Sequence, residues 1–147
     1  MHTVIWLLRH GDAEDGSPDE QRKLTTKGEK QASVAGAALA ALGVEPSVCL
    51  SSPKVRAADT ARLACESLAS EVELVDELSG GSFDAEELAG GRDGDVVLVG
   101  HEPDFSDAVQ RMTGARVKLK KGGLAAVEDG QLHLLLRPKD LKAIAGG

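Results

Sequence analysis

The chain has 147 residues, the size of one domain, and with 41% hydrophobic residues it buries a core and does not read as disordered. Only 2% are aromatic, so Leu, Val and Ala must fill that core. A net charge of −7 excludes a general nucleic-acid or anionic-membrane surface, though it leaves room for a local basic pocket. There is no run of about 18 apolar residues and no charged-then-apolar leader. A soluble, cytoplasmic, monomeric protein with one domain over 1–147 is therefore expected. Cys49 and Cys65 stand apart without metal-like pairing and read as small core residues in a reducing compartment, with no disulfide expected.

The first element is a nearly continuous apolar and β-branched run, Thr3 to Leu8, which predicts a strand buried on both faces. It delivers Arg9, His10, Gly11 and Asp12 at its carboxyl end, the edge of an open α/β sheet where ligands bind. Gly11 permits a turn where a Cβ would clash. Residues 14–23 are polar and read as an exposed loop, with Arg22 the one side chain there suited to reach an anionic substrate. A helix follows. Thr26 and Glu29 fit a capping box, with Thr25 the near alternative; Ala32, Ala35, Leu39 and Leu42 form its stripe, and Gly43 closes it. Residues 47–51 predict a second short strand. Ser52 and Pro53 then fit the cap and first position of a helix with Ala58, Ala61, Cys65 and Leu68 buried.

Arg56 falls in the first turn of that helix, where a cation opposes the dipole by a few tenths of a kcal/mol unless an anion is near. The bland alternative is a surface arginine paired with Asp59. Val72 to Val75 alternates as an edge strand does, and residues 84–88 suit a short helix capped by Asp84. Asp95 to Gly100 is the second clear buried strand. It repeats the opening design, ending in Gly100, His101, Glu102 and Pro103, and a helix with Phe105, Ala108, Val109 and Met112 follows to Gly114. Lys118 to Lys121 reads as a solvated basic edge, or else a dock for an acidic partner. Gly123 to Val127 and Gln131 to Leu136 form a hairpin, His133 reads as structural, and Pro138 to Ile144 suits a short helix.

If these strands are neighbours in one parallel sheet, Arg9, His10, Arg56 and His101 converge on one crevice. Two guanidinium groups and helix N-termini at one spot call for an anion, and a histidine beside them supplies a nucleophile. Phosphoryl transfer is the reaction that uses this set.

Leu8-Arg9-His10-Gly11, the Ser52-Pro53…Arg56-Ala57…Thr60-Ala61 segment and Gly100-His101-Glu102-Pro103 together resemble the signature of the histidine phosphatase superfamily, which includes phosphoglycerate mutases and acid phosphatases. Arg9 to Ala13, Arg22 followed by Leu24-Thr25-Thr26 and Gly28, Arg137-Pro138 followed by Leu141-Lys142, and the short length are most similar to the SixA-type phosphohistidine phosphatases. The resemblance covers nearly the whole chain. It implies a phosphoglycerate mutase-like three-layer α/β/α sandwich with a mostly parallel central sheet. It implies that His10 is transiently phosphorylated while Arg9, Arg56 and His101 surround the phosphoryl group, and that no metal or cofactor is needed. Gly11, Asp12, Arg22 and Glu102 are the further substrate-binding candidates. The implied partner is a phosphohistidine-bearing protein, a phosphotransfer domain or phosphocarrier.

One departure bears on the substrate. Esterases and mutases of this superfamily carry an extra carboxylic acid in a longer insertion, and that insertion cannot be placed here; Glu77, Asp84, Glu86 and Glu87 stay unassigned, and Asp12, Glu102 and Asp104 remain as candidate local acids or hydrogen-bond orienters. An alkoxide leaving group needs protonation more than the imidazole of phosphohistidine does, so P–N cleavage is favoured. Three alternatives compete: a general small-molecule phosphomonoesterase, a hydrolase holding a metal with His10, Asp12, His101 and Glu102, and a non-catalytic phosphate-binding module. The two arginines oppose the metal reading by repulsion.

Overall fold

A computed structural model describes residues 3–146. Six strands form one sheet: β1 (Thr3–Arg9), β2 (Pro46–Ser51), β3 (Val72–Leu74), β4 (Gly94–Gly100), β5 (Leu124–Glu128) and β6 (Gln131–Leu136). Their order is β3-β2-β4-β1-β5-β6. The first four are mutually parallel, and β5 runs antiparallel to β1 and to β6. The helices are α1 (Thr26–Ala41), α2 (Val55–Cys65), α3 (Ala85–Ala89), α4 (Asp104–Thr113) and α5 (Pro138–Ile144). The expected three-layer sandwich is the fold observed.

Alternation along β1 builds the two cores. Trp6 and Leu8 face one side, where they pack with Ala35, Leu39, Ala61 and Leu141 of α1, α2 and α5. Ile5 and Leu7 face the other, against Phe83, Ala85, Phe105 and Val109 around α3 and α4. Both sides of the strand are thus covered, which is why its sequence is apolar throughout and not alternating. With few aromatic rings, the helices must come close to the sheet and to one another. Gly36 permits this: a Cβ there would lie 2.2 Å from the Ala64 carbonyl oxygen across the α1–α2 crossing. The β5–β6 hairpin turns on Asp129 and Gly130, both at positive φ (52° and 71°), as a two-residue turn between strands of natural twist requires.

Several element ends differ from the sequence reading. The cap of α1 is Thr25, whose hydroxyl accepts the Gly28 N–H, and not Thr26. The reason is tertiary: Thr25 is already fixed to Asp12 through its N–H (3.0 Å) and its hydroxyl (2.8 Å). Leu42 lies past the helix and is exposed. The second helix begins at Val55, two residues later than Pro53 suggests, and its buried face is Arg56, Ala57, Thr60, Ala61, Ala64 and Cys65, with Ala58 and Leu68 only half-buried. Lys118 to Lys121 is a loop whose lysines are exposed, as in a solvated edge, while Leu119 within it is buried and Lys121 pairs with Asp12 at 3.3 Å. His133 is exposed and lies 3.8 Å from Glu128. Cys49 and Cys65 are not isolated in space. Both are buried and free, and they face one another from β2 and α2 closely enough that Cys65, with burial, pushes the Cys49 thiol up.

Replacing a helix-interior glycine by alanine ordinarily adds about 1 kcal/mol of stability. Gly36→Ala is expected to do the reverse, costing about 1–3 kcal/mol by overpacking the crossing. Urea denaturation decides it, and a variant more stable than the parent contradicts the crossing described.

Candidate active site

The carboxyl ends of β2, β4 and β1 lie side by side, and the ladder runs one residue beyond the strands. The His10 N–H donates to Gly100 O and the Ser52 N–H to Val99 O, each at 3.0 Å. His10, Ser52 and His101 are thereby brought to one edge by backbone pairing alone. Gly100 is required there, because a Cβ would meet the Phe105 ring at 2.7 Å. Gly11 is required for a related reason. A Cβ on it would lie 2.5 Å from Gly28 O, and one on Gly28 would lie 1.9 Å from Asp12 O, so the turn after His10 rests directly on the first turn of α1.

Among the described residues, the buried polar and charged side chains are His10, Ser51, Ser52, Arg56, Thr60 and His101. All belong to these strand ends or to α2. Burying such groups is costly unless they are partnered. Thr60 accepts the Gly11 N–H (3.1 Å) and donates to Arg56 O (2.7 Å). Ser52 accepts the Lys54 N–H (3.1 Å) and shares a hydrogen bond with His101 Nε2 (2.8 Å). The rings of His10 and His101 are 5.2 Å apart. Two buried side-chain atoms among the described residues have no hydrogen-bond partner, Arg9 Nε and His101 Nδ1. Both belong to this cluster, where an anion offers acceptors.

His10 Nδ1 lies 2.7 Å from Gly11 O. A carbonyl only accepts, so Nδ1 carries the proton and Nε2 keeps its lone pair. Burial, chiefly, and the charges of Arg56, Arg9 and Lys121 hold His10 down to about 4, against the pull of its bond to Gly11. Burial likewise lowers His101 to about 3, helped by His10, Arg56 and Lys54 and opposed by Asp19. Both imidazoles are neutral at pH 7. Arg9 is lowered from its ordinary value by burial, with Glu102 opposing, and like any arginine it stays charged.

The four principal candidates converge: Arg9, His10 and His101 at the strand ends, Arg56 from α2. The other candidates hold the frame. Asp12 accepts from Thr25 and Lys121, which keep it below the usual carboxylate range, and its N–H donates to Gln31 (2.8 Å). Both Glu102 oxygens are engaged. One accepts the Ser106 N–H at 2.7 Å, the other the Ser106 hydroxyl and the Leu119 N–H. Glu102 thus fixes the start of α4 to the loop whose Leu119 carbonyl accepts from Arg9 Nη1 (2.9 Å). Arg22 is turned onto its own loop, with Nε on Glu14 O (2.7 Å) and Nη1 on Asp19 (3.1 Å). Because Asp12 and Glu102 are engaged elsewhere, the four residues of the metal-binding alternative do not converge.

Sequence reading missed Asp19. Its carboxylate meets Arg56 (3.2 Å), Lys54 (3.4 Å) and Arg22 (3.1 Å), and its carbonyl accepts from Arg56 Nη1 (2.8 Å). Bonds from Arg22 and Arg56 hold it down to about 2. The i,i+3 spacing to Arg22 was the one sequence signal, and it gives no hint of Arg56. The bound Leu119 carbonyl left no signal at all.

Residues 5–88 match the histidine phosphatase superfamily, branch 1. The chain belongs to that superfamily. A protein of unassigned function from Picosynechococcus sp. (strain PCC 7002) is 33% identical over 159 residues, covering 92% of this chain and 96% of the relative. The fold is that of the protein histidine phosphatase SixA solved with tungstate (TM-score 0.81, 23% identity, 95% of this chain and 99% of that one). A phosphoserine phosphatase from Entamoeba histolytica, solved with 3-phosphoglyceric acid, shares it too (TM-score 0.72, 17% identity, 95% and 99%). The superfamily match ends at residue 88, so the His101 strand end and the Glu102–Leu119 tie stand on the geometry above.

The lowered histidine values carry a stability signature. Above pH 6.5 both rings are neutral folded and unfolded. As the pH falls towards about 4 for His10 and 3 for His101, the unfolded chain takes up protons that the folded site refuses, so stability falls. Asp19 adds its own loss only below its unfolded value, towards about 2. Denaturation at pH 7, 5.5 and 4.5 is expected to show a decline that His10→Gln with His101→Gln largely removes. An equal decline in both proteins contradicts the assignment.

Proposed function

We propose that this protein is a phosphatase working through a phosphohistidine intermediate on His10, and that its substrate is phosphohistidine on another protein. The observation that carries the reading is a neutral, buried His10 whose Nδ1 donates to Gly11 O, leaving Nε2 its lone pair, and whose ring lies 5.2 Å from that of His101 and within the field of Arg56 and Arg9. Nε2 attacks phosphorus as the bond from phosphorus to the leaving group breaks. The two guanidinium groups and the second histidine take up the charge on the three equatorial oxygens. Water then attacks the phosphorus of phospho-His10, releasing inorganic phosphate and returning a neutral ring. The same groups stabilise both displacements, and no metal takes part in either.

The choice of substrate rests on proton supply. Asp19 is the carboxylate paired with Arg56, and at about 2 it is ionised and holds no proton to give at neutral pH. Asp12 and Glu102 are held by hydrogen bonds in the frame, and Asp84 caps α3 by accepting the Glu87 N–H. An ester oxygen leaves poorly without an acid, whereas a phosphoimidazole nitrogen leaves more readily. The likeness to SixA, described as a protein histidine phosphatase, supports the same choice. The shared fold of a phosphoserine phosphatase favours the second reading, a small-molecule phosphomonoesterase.

Phosphate release in EDTA from a phosphohistidine protein and from a panel of phosphomonoesters is the direct test. Phosphohistidine is expected to turn over at least about tenfold faster than any monoester, with His10→Ala losing about 10⁴-fold or more. Faster monoester turnover replaces this reading with the second one, and activity that survives His10→Ala removes the covalent mechanism. Arg56→Lys keeps the charge but loses the planar fork, and a fall in kcat/KM of about ten- to a hundredfold is expected.

A further inference from the structure

The outer side of α1 and α5 carries a feature that the phosphoryl site does not use. Where the two helices meet, a groove of about 240 Å³ opens, floored by Val34, Pro138 and Leu141. Lys27, Lys30, Lys139 and Lys142 ring it. These are four of the nine lysines in a chain whose net charge is −7, so the concentration is local and runs against the whole. All four are exposed. Lys27, Lys30 and Val34 recur at helical spacing on one face of α1. Asp140, the acid of α5, is turned away onto Arg137, whose N–H and guanidinium it accepts at 2.8–3.1 Å.

The groove also adjoins the active site. Gln31 lines it, and the same side chain accepts the Asp12 N–H two residues after His10. Lys27 and Lys121 both act on the Asp12 carboxylate. The positive rim therefore continues from the groove to the mouth of the phosphoryl site.

We infer that this groove docks an acidic helical face of the protein that carries the phosphohistidine. The inference rests on the functional reading above. A histidine displayed on a helix has its neighbours at three, four and seven residues aligned on the same face. With the phosphoryl group at His10, such a face lays an apolar side chain between Val34 and Leu141 and sets its carboxylates against the lysines. The lysine stems extend the apolar floor while their charges stay at the rim. Charges so placed act mainly on encounter and on specificity.

The test is kinetic. The substrates are a helical histidine-phosphotransfer domain carrying phosphohistidine, and free phosphoimidazole. Lys30→Glu with Lys139→Glu and Lys142→Glu is expected to raise KM for the domain at least about tenfold with kcat unchanged. Phosphoimidazole turnover stays as it was, which also reports an intact fold. The wild type's KM for the domain is expected to rise with salt, and the triple variant is expected to lose most of that dependence. Val34→Asp, at the floor, is expected to reproduce the KM effect. An unchanged KM in both variants overturns the docking site while leaving the phosphatase reading in place. A wild type that hydrolyses phosphoimidazole but not the domain overturns the protein-substrate reading and the dock with it. Loss of vesicle binding or of self-association in the triple variant, with KM for the domain unaltered, gives the groove another occupant and also overturns the proposal.

Discussion

Two backbone hydrogen bonds organise the molecule's chemistry: His10 N–H to Gly100 O and Ser52 N–H to Val99 O. They extend the parallel ladder by one residue on either side of β4, so the strand ends cannot splay. Everything that follows from two neighbouring imidazoles depends on that register. A slip of one residue turns every side chain to the opposite face of the sheet. It would place His10 and His101 in different layers, and it would exchange Trp6 and Leu8 with Ile5 and Leu7 between two cores of different shape. Register is thus enforced by packing over the full length of β1 and read out only at its end.

The same burial that fixes the histidines sets their chemistry. Desolvation is the largest influence on both, and the nearby cations act in the same direction. A pocket with two guanidinium groups would otherwise favour an anion so strongly that phosphate would not leave. In the proposed reaction a neutral His10 presents Nε2 as the nucleophile, and the positive charge around it acts on the group being transferred. Asp19 tempers the field: half-exposed, it is shared by Arg22, Lys54 and Arg56. Ion pairs that open to water are weak, about 1 kcal/mol or less, so this contact need not hold the arginines shut.

What the sequence disclosed and what it hid divide along a physical line. Strands β1 and β4, the hairpin and α5 were legible because each is written in a local pattern. The doubled motif of apolar strand, glycine and histidine made the site legible too, since parallel neighbours put their carboxyl ends on one edge. The cap of α1 was not legible: Thr25 and Thr26 are equivalent by spacing, and Asp12 chooses between them from thirteen residues away. Nor was the meaning of Glu102 or of the lysine-rich segment. Glu102 looked like a ligand and proves to be a clamp. Leu119, hidden among lysines, supplies the carbonyl that orients Arg9. These depend on contacts across sequence separations that no periodicity encodes.

A general acid must be protonated at working pH, which for a carboxyl means burial away from cations. Asp12, Asp19 and Glu102 beside the candidate site are instead tied to cations, hydroxyls or backbone N–H groups. Of the elements after β4, α4 covers the second core, α5 covers the first, and the loop before β5 holds Arg9. Under the function proposed above, such a site suits a leaving group that asks least for a proton, a condition that phosphoimidazole meets better than a phosphate ester does.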